Sequence, residues 1–334
     1  MIKFSQFENT IKSLGIVAAV GLMQGCSSTF TFNAEIDDPE PSKEQYVSSD
    51  QDTPATLKFS HHIPEGHVQA QGEILNYVYQ QDKKTIDTAD FFLQAMDKEL
   101  QARNLPVAFD EAGTDNLDLL AYDTIAHRRN GFSPLVMISM AKVDLTASGE
   151  THRIVGLIKR AKVPIWHLSE ESLVESTINQ PQELLIKEVA AKINVIMFDD
   201  QLSDASVETV VEQVNANIDA DADAAYQKVY ELGYSNNATA LPALRGYSQH
   251  EAEYIRLAAI SGMGMIGGEA VLSELQQLYT SGKQWQDRAV ALKAIGDIQS
   301  EESVAFMKEE QEKWQAETGL EATWNQKILS LYLD

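Results

Sequence analysis

The chain has a single cysteine, Cys26, in 334 residues. One thiol excludes an intramolecular disulfide, and without a CxxC pair or a Cys/His cluster there is no zinc-site pattern. Positive charge is also scarce: 26 Lys and Arg face 50 Asp and Glu, for a formal charge of −24. A polyanion is repelled by phosphate backbones and anionic headgroups, which argues against nucleic acid as a partner. The sequence has no GxSxG, HExxH or GxxxxGK[ST], and no GxGxxG that opens a helix after a strand. The glycine-rich GMGMIGG (262–268) follows an apolar helical stretch instead. No acid–base pair stands out among the carboxylates. The expectation is a protein that is not an enzyme and needs no cofactor or metal. An apolar content of 44% is still enough for a sizeable core.

Residues 1–12 carry Lys3 and Lys12, and Leu14 to Met23 are ten uncharged, mostly apolar residues. A bilayer span needs about 20 such residues, so this run has the length of a signal-peptide core, not of an anchor helix. The four residues that follow, Met23-Gln24-Gly25-Cys26, resemble a bacterial lipobox. The resemblance implies that the Cys26 thiol receives a diacylglyceryl group and that residues 1–25 are cut away. It also implies the outer membrane, facing the periplasm, because Ser27 and Ser28 follow where an Asp would favour retention in the inner membrane. Several acyl chains give stable anchoring where one gives marginal binding.

Residues 26–54 comprise the anchor cysteine and a stretch rich in Ser, Asp, Glu and Pro. It reads as a disordered tether whose ends would lie roughly 30 Å apart. From 55 to 200 the pattern is α+β: helices on a mostly antiparallel or mixed sheet. An amphipathic helix is expected over 87–104, with Phe91, Phe92, Ala95, Met96 and Leu100 on one stripe and Thr88 as its cap. Segments 133–147 and 151–163, joined by ASGET, form a hairpin, and Pro181 opens a second helix. The helix–strand run ADFFLQAMDKELQARNLPVAF resembles the small domains of envelope lipoproteins that serve as transporter-associated or assembly factors.

The last part, 206–334, repeats. RLAAISGMGMIG (256–267) and RAVALKAIGDIQ (288–299) align without a gap at a spacing of 32, pairing Arg256 with Arg288 and Gly264 with Gly296. A fainter copy ends at Gly233. Periods of this size mean stacked helix pairs, about four here, with a divergent final helix as cap. The glycines are expected to end helices in the left-handed conformation. The pattern resembles HEAT-like repeats of the phycobilisome-lyase type, which implies an elongated binding surface.

Three further clusters carry side chains able to bind ions. His61, His62, Glu65 and His67 offer metal donors, but adjacent strand residues point to opposite faces, so a polar strand end is expected. Asp219, Asp221 and Asp223 have EF-hand-like spacing, yet Ala224 and Tyr230 replace the required Gly and Glu; an acidic helix start is expected. His127, Arg128 and Arg129, with Lys159, Arg160 and Lys162, form the densest positive charge. They read as solvated loop and edge-strand charge, or else as a site for an anion or acidic partner.

Together these features predict a membrane-anchored adaptor or assembly factor for an unidentified envelope protein, touching the membrane through its lipid alone. Its contact surface would be the inner face of the array, with Arg256 and Arg288 as candidate partner-binding residues. The alternative is a small-ligand or lipid module with a cavity lined by Phe91, Phe92 and Met96. A hydrolase with an unrecognised carboxylate pair is the third reading.

Overall fold

The computed structural model describes residues 29–48, 54–128, 134–162 and 170–334. The expected signal peptide, Cys26 and Arg129 lie outside the described residues. Three long strands make the spine of a mixed sheet: β7 (Asp115–His127), β8 (Leu135–Ala147) and β9 (Glu150–Lys162), antiparallel to one another. The β8–β9 turn is Ser148-Gly149, with φ of 52° and 87°, the twist a two-residue hairpin loop requires. The far edge of β7 is shared. β2 (Ala55–His61) runs parallel along its first half, backed by β6 (Val107–Phe109). β3 (Ala70–Gln71) runs along its second half, followed by β4 (Leu75–Gln81), which also pairs with β5 (Lys84–Thr85), and then by β1 (Phe30–Glu35).

Two helices, α1 (Thr88–Ala102) and α3 (Gln180–Met197), supply the helical layer of this domain, with a short α2 (Glu170–Val174) leading into the second. Gly156 lets Leu185 and Val189 of α3 press onto β9, because a Cβ there would sit 2.6 Å from Leu185 Cδ1. The cap of α1 is Asp87, not Thr88: its carboxylate accepts from the N–H groups of Ala89 and Asp90 at 2.9 and 3.0 Å. Thr88 is buried and accepts from Gln69 Nε2.

The tether expected over 26–54 is corrected by residues 29–48, which are part of the fold. β1 pairs in parallel with β4 from Phe30↔Leu75 to Glu35↔Gln80. The chain then straps across α1. The backbone N–H and hydroxyl of Ser42 donate to Glu99 at 2.8 and 2.6 Å, and the Tyr46 hydroxyl donates to the Tyr234 carbonyl at 2.6 Å. Arg103 closes the strap, donating to Glu99 and stacking over the Tyr46 ring. Two polar side chains in this stretch, Ser42 and Tyr46, are buried and hydrogen-bonded, which fixes a segment whose composition suggests disorder.

The array consists of four helix pairs: α4 (Asp204–Asn217) with α5 (Ala222–Gly233), α6 (Leu241–Tyr247) with α7 (Glu253–Gly267), α8 (Leu272–Ser281) with α9 (Trp285–Ile298), and α10 (Glu301–Trp314) with α11 (Leu320–Leu333). The second helices stack as one inner row. Gly233, Gly264 and Gly296 lie within or at the last turn of these helices, and none is at positive φ. Their role is close approach rather than termination. A Cβ on Gly233 would meet Gly262 Cα at 2.6 Å, one on Gly264 would meet the Ala294 carbonyl oxygen at 2.5 Å, and one on Gly296 would meet the Tyr332 ring at 2.7 Å. Each repeat glycine therefore seats the next inner helix.

Gly264→Ala should destabilise the chain by about 1–3 kcal/mol, since the new methyl overlaps backbone of α9. Gly246→Ala, on α6 with open space around it, should stabilise by roughly 0.5–1 kcal/mol through the ordinary helical preference for alanine. Urea midpoints of the two variants should move in opposite directions; equal shifts would contradict the packing role.

Candidate functional site: the inner row of the array

The inner row faces the α+β domain of its own chain. Tyr254 of α7 places its hydroxyl against the outer edge of β9, donating to the Ala161 carbonyl at 2.6 Å and accepting from the Ala161 N–H at 3.0 Å. Lys192 donates to the Val155 carbonyl at 2.5 Å, and Glu188 accepts from the Leu157 N–H at 3.3 Å. Gln299 donates to the Arg153 carbonyl. Arg153 and Lys142 in turn donate to the carbonyls of Leu331 and Ser330 on α11.

At the centre of this interface lies a buried ionic cluster. Glu188 on α3 pairs with Lys192 at 2.9 Å and with Lys293 on α9. Asp297 pairs with Lys192 at 2.6 Å and with Lys293 at 2.7 Å. Lys293 also donates to the Ser261 hydroxyl at 2.8 Å, and the Tyr332 hydroxyl donates to Asp297 at 2.5 Å. The side chains of Glu188 and Lys293 have no solvent exposure. Burial alone would push the Lys293 ammonium down, but Asp297 and Glu188 together outweigh it and hold it above its ordinary value. Burial would likewise raise Asp297; Lys192 and Lys293 prevail and hold it below the usual carboxylate range. Tyr332 is raised, first by burial and then by Asp297. Two carboxylates and two ammonium groups sum to zero charge, so the cluster can stay dry.

The positive charge expected on the surface of β9 is interfacial. Arg160 is 1% exposed. Its guanidinium lies between the rings of Tyr226 and Tyr254, 4.2 and 4.3 Å from their centroids. Lys159 pairs with Glu253. The solvated-charge expectation is corrected at both residues: the array covers this edge of the sheet. Lys162 closes the register with Leu135, and His127 and Arg128 stand at the end of β7.

Arg256 and Arg288 are both engaged by groups of their own chain. Arg256 pairs with Asp287 at 3.2 Å and donates to the carbonyls of His250 and Glu251. Arg288 forks onto Glu321 with bonds of 2.7 and 2.6 Å and donates to the Gly282 carbonyl. Each arginine ties the loop before its own helix to a carboxylate of the next repeat, so the candidate contact role gives way to bracing. The histidines separate: His62 meets Asp118 at 3.0 Å and His67 meets Asp123 at 2.9 Å. Among the described residues no group of three or more His, Cys, Asp or Glu is placed to hold a metal ion. Asp221 accepts from the Ala224 N–H at the start of α5, while Asp219 is exposed. Phe92 packs against Phe59 and Tyr122, so the space considered for a ligand between α1 and the sheet is filled by rings there.

Residues 207–296 match a family model described as HEAT repeats. Sequence and geometry thus agree on a C-terminal helical repeat domain following an α+β domain. No curated protein matches the chain. Among solved structures, one described as "Crystal structure of uncharacterized protein" is similar at 9% identity, covering 49% of this chain and 97% of that one, with a TM-score of 0.28. A likeness that weak says nothing of function.

Lys293→Met should cost about 3–5 kcal/mol, because it leaves two buried carboxylates sharing one lysine. Adding Glu188→Leu should recover part of that loss, a non-additivity that a double-mutant cycle reads directly. The same cluster sets a pH dependence. Asp297 is depressed in the fold, so its contribution is complete above the unfolded value of about 3.9 and is lost as pH falls toward the lower folded value. The stability gap between wild type and Asp297→Asn should be constant at neutral pH and shrink below about pH 4. A gap that persists unchanged under acid would place the stabilisation elsewhere.

Proposed function

We propose that this chain is an outer-membrane lipoprotein facing the periplasm, anchored by acylation of Cys26, and that it acts as a non-enzymatic adaptor or assembly factor for an envelope protein. The lipobox resemblance supports the anchor. One observation carries the adaptor reading: the inner row is committed to the chain's own sheet, which leaves the first helices, α4, α6, α8 and α10, as the presented surface of the array. That surface is acidic. Glu208 and Glu212 on α4 and Glu301, Glu302, Glu309 and Glu312 on α10 are all exposed. A partner with a basic face would gain from this field, in encounter rate and orientation more than in raw affinity. The contact surface is therefore reassigned from the inner to the outer row.

The test uses photo-crosslinking residues at Glu212, Gln277 and Glu309, introduced into the acylated chain in living cells and read by mass spectrometry. One protein partner, crosslinked from several of these positions and lost on Cys26→Ser when the anchor is removed, is the expected result. Crosslinks to lipid or a co-purifying small molecule, with no protein partner, would overturn the adaptor reading.

A further inference from the structure

The first described strand, β1, lies close in sequence to Cys26. Three residues, Ser27 to Thr29, separate Cys26 from Phe30. Fully extended, that connection spans at most about 14 Å. It is far shorter than the roughly 30 Å leash that composition suggests. With Cys26 acylated, β1 is held at the lipid surface.

The residues that enter there are apolar and uncovered. Phe30, Phe32 and Ala34 alternate on one face of β1, opposite Leu75, Tyr77 and Tyr79 of β4. Ala34 and Tyr79 are buried, each 1% exposed, but Phe30 is 40% and Phe32 48% exposed. The core face of the sheet therefore continues past its helical cover and opens toward the N-terminal end of β1. The Phe32 ring lies 6.0 Å from Tyr77, which extends the aromatic strip. β1 is also an edge strand, at the opposite end of the strand order from β9. Exposed aromatic rings suit the boundary between acyl chains and headgroups.

We propose that the Phe30–Phe32 face of β1, with Tyr77, rests on the lipid surface, so that the domain stands against the membrane in a fixed orientation instead of swinging on its anchor. The occupant is lipid, because the acyl chains of Cys26 enter the membrane within four residues of this face. This inference rests on the anchor reading above.

Cys26 is the only cysteine and its sulfur is blocked by acylation, so a Phe32→Cys variant carries one free thiol. That thiol is labelled with bimane in the full acylated chain, reconstituted in vesicles of phosphatidylethanolamine and phosphatidylglycerol. Intact mass is recorded first. Lipids with a nitroxide high on the acyl chain should quench the Phe32→Cys label at least about twofold more than a Gln277→Cys label on exposed α8. A mass without acyl chains would overturn the anchor reading and this proposal together. An acylated chain with equal quenching at both positions would overturn this proposal alone. So would a Phe32→Cys label shielded from both nitroxide lipid and aqueous iodide, which would mean that protein covers the face.

Discussion

A strand at the edge of a sheet leaves a row of N–H and C=O groups without partners, and the architecture of this protein turns on how β9 meets that demand. Its outward groups at Arg153, Val155, Leu157 and Ala161 are met by side chains of Gln299, Lys192, Glu188 and Tyr254. Those side chains come from α3, α7 and the residue that follows α9, so the edge is completed by elements of both domains. The array is therefore a wall of the sheet rather than an appendage. An uncovered β9 would be a template for pairing with another chain.

Closing an edge with charged side chains carries a desolvation cost that only full satisfaction offsets. Glu188 and Asp297 each contact both Lys192 and Lys293, and Ser261 and Tyr332 complete the shell. The cluster also fixes register. Sliding α9 by one turn along α3 would move Lys293 about 5.4 Å and leave charges buried and unpaired. The repeat template has been altered to allow this. At the spacing of 32, Lys293 replaces Ser261 and Asp297 replaces Met265. The two charges lie one turn apart in the stretch from Ala289 to Ile298, which is otherwise small or apolar. The glycines do complementary work, since Gly264 and Gly296 bring α9 and α11 close enough for Ser261 and Tyr332 to reach the cluster.

What the sequence makes legible is what local periodicity encodes. The stripe of α1, the β8–β9 hairpin and the paired repeats each follow from neighbours within a few residues or from a copy at fixed distance. The strap over 29–48 does not, because its partners are remote: Ser42 meets Glu99, and Tyr46 meets Tyr234, 57 and 188 residues away. Local composition there is polar, and polarity reads as disorder until the partners are known. Arg160 fails for the same reason. A cation on an edge strand looks solvated unless Tyr226 and Tyr254 are known to close over it. Lys293 left a fainter signal. It interrupts AVALKAIG on the buried stripe at a position where the preceding repeat has serine, and a lysine among alanines and leucines on a core face implies a buried carboxylate. The repeat locates the glycines but not their geometry, because a helix end and a helix–helix contact demand the same residue for different reasons.

The order of strands gives the molecule a direction. From β9 the sheet runs through β8, β7, β3 and β4 to β1, about 24 Å at the usual strand spacing. The array closes one edge, and the chain enters from Cys26 at the other. The polar and ionic closure of β9 and the exposed rings of Phe30 and Phe32 on β1 therefore stand at opposite edges of one sheet. At that separation neither edge shares partners with the other, so a change at one should leave the contacts of the other intact.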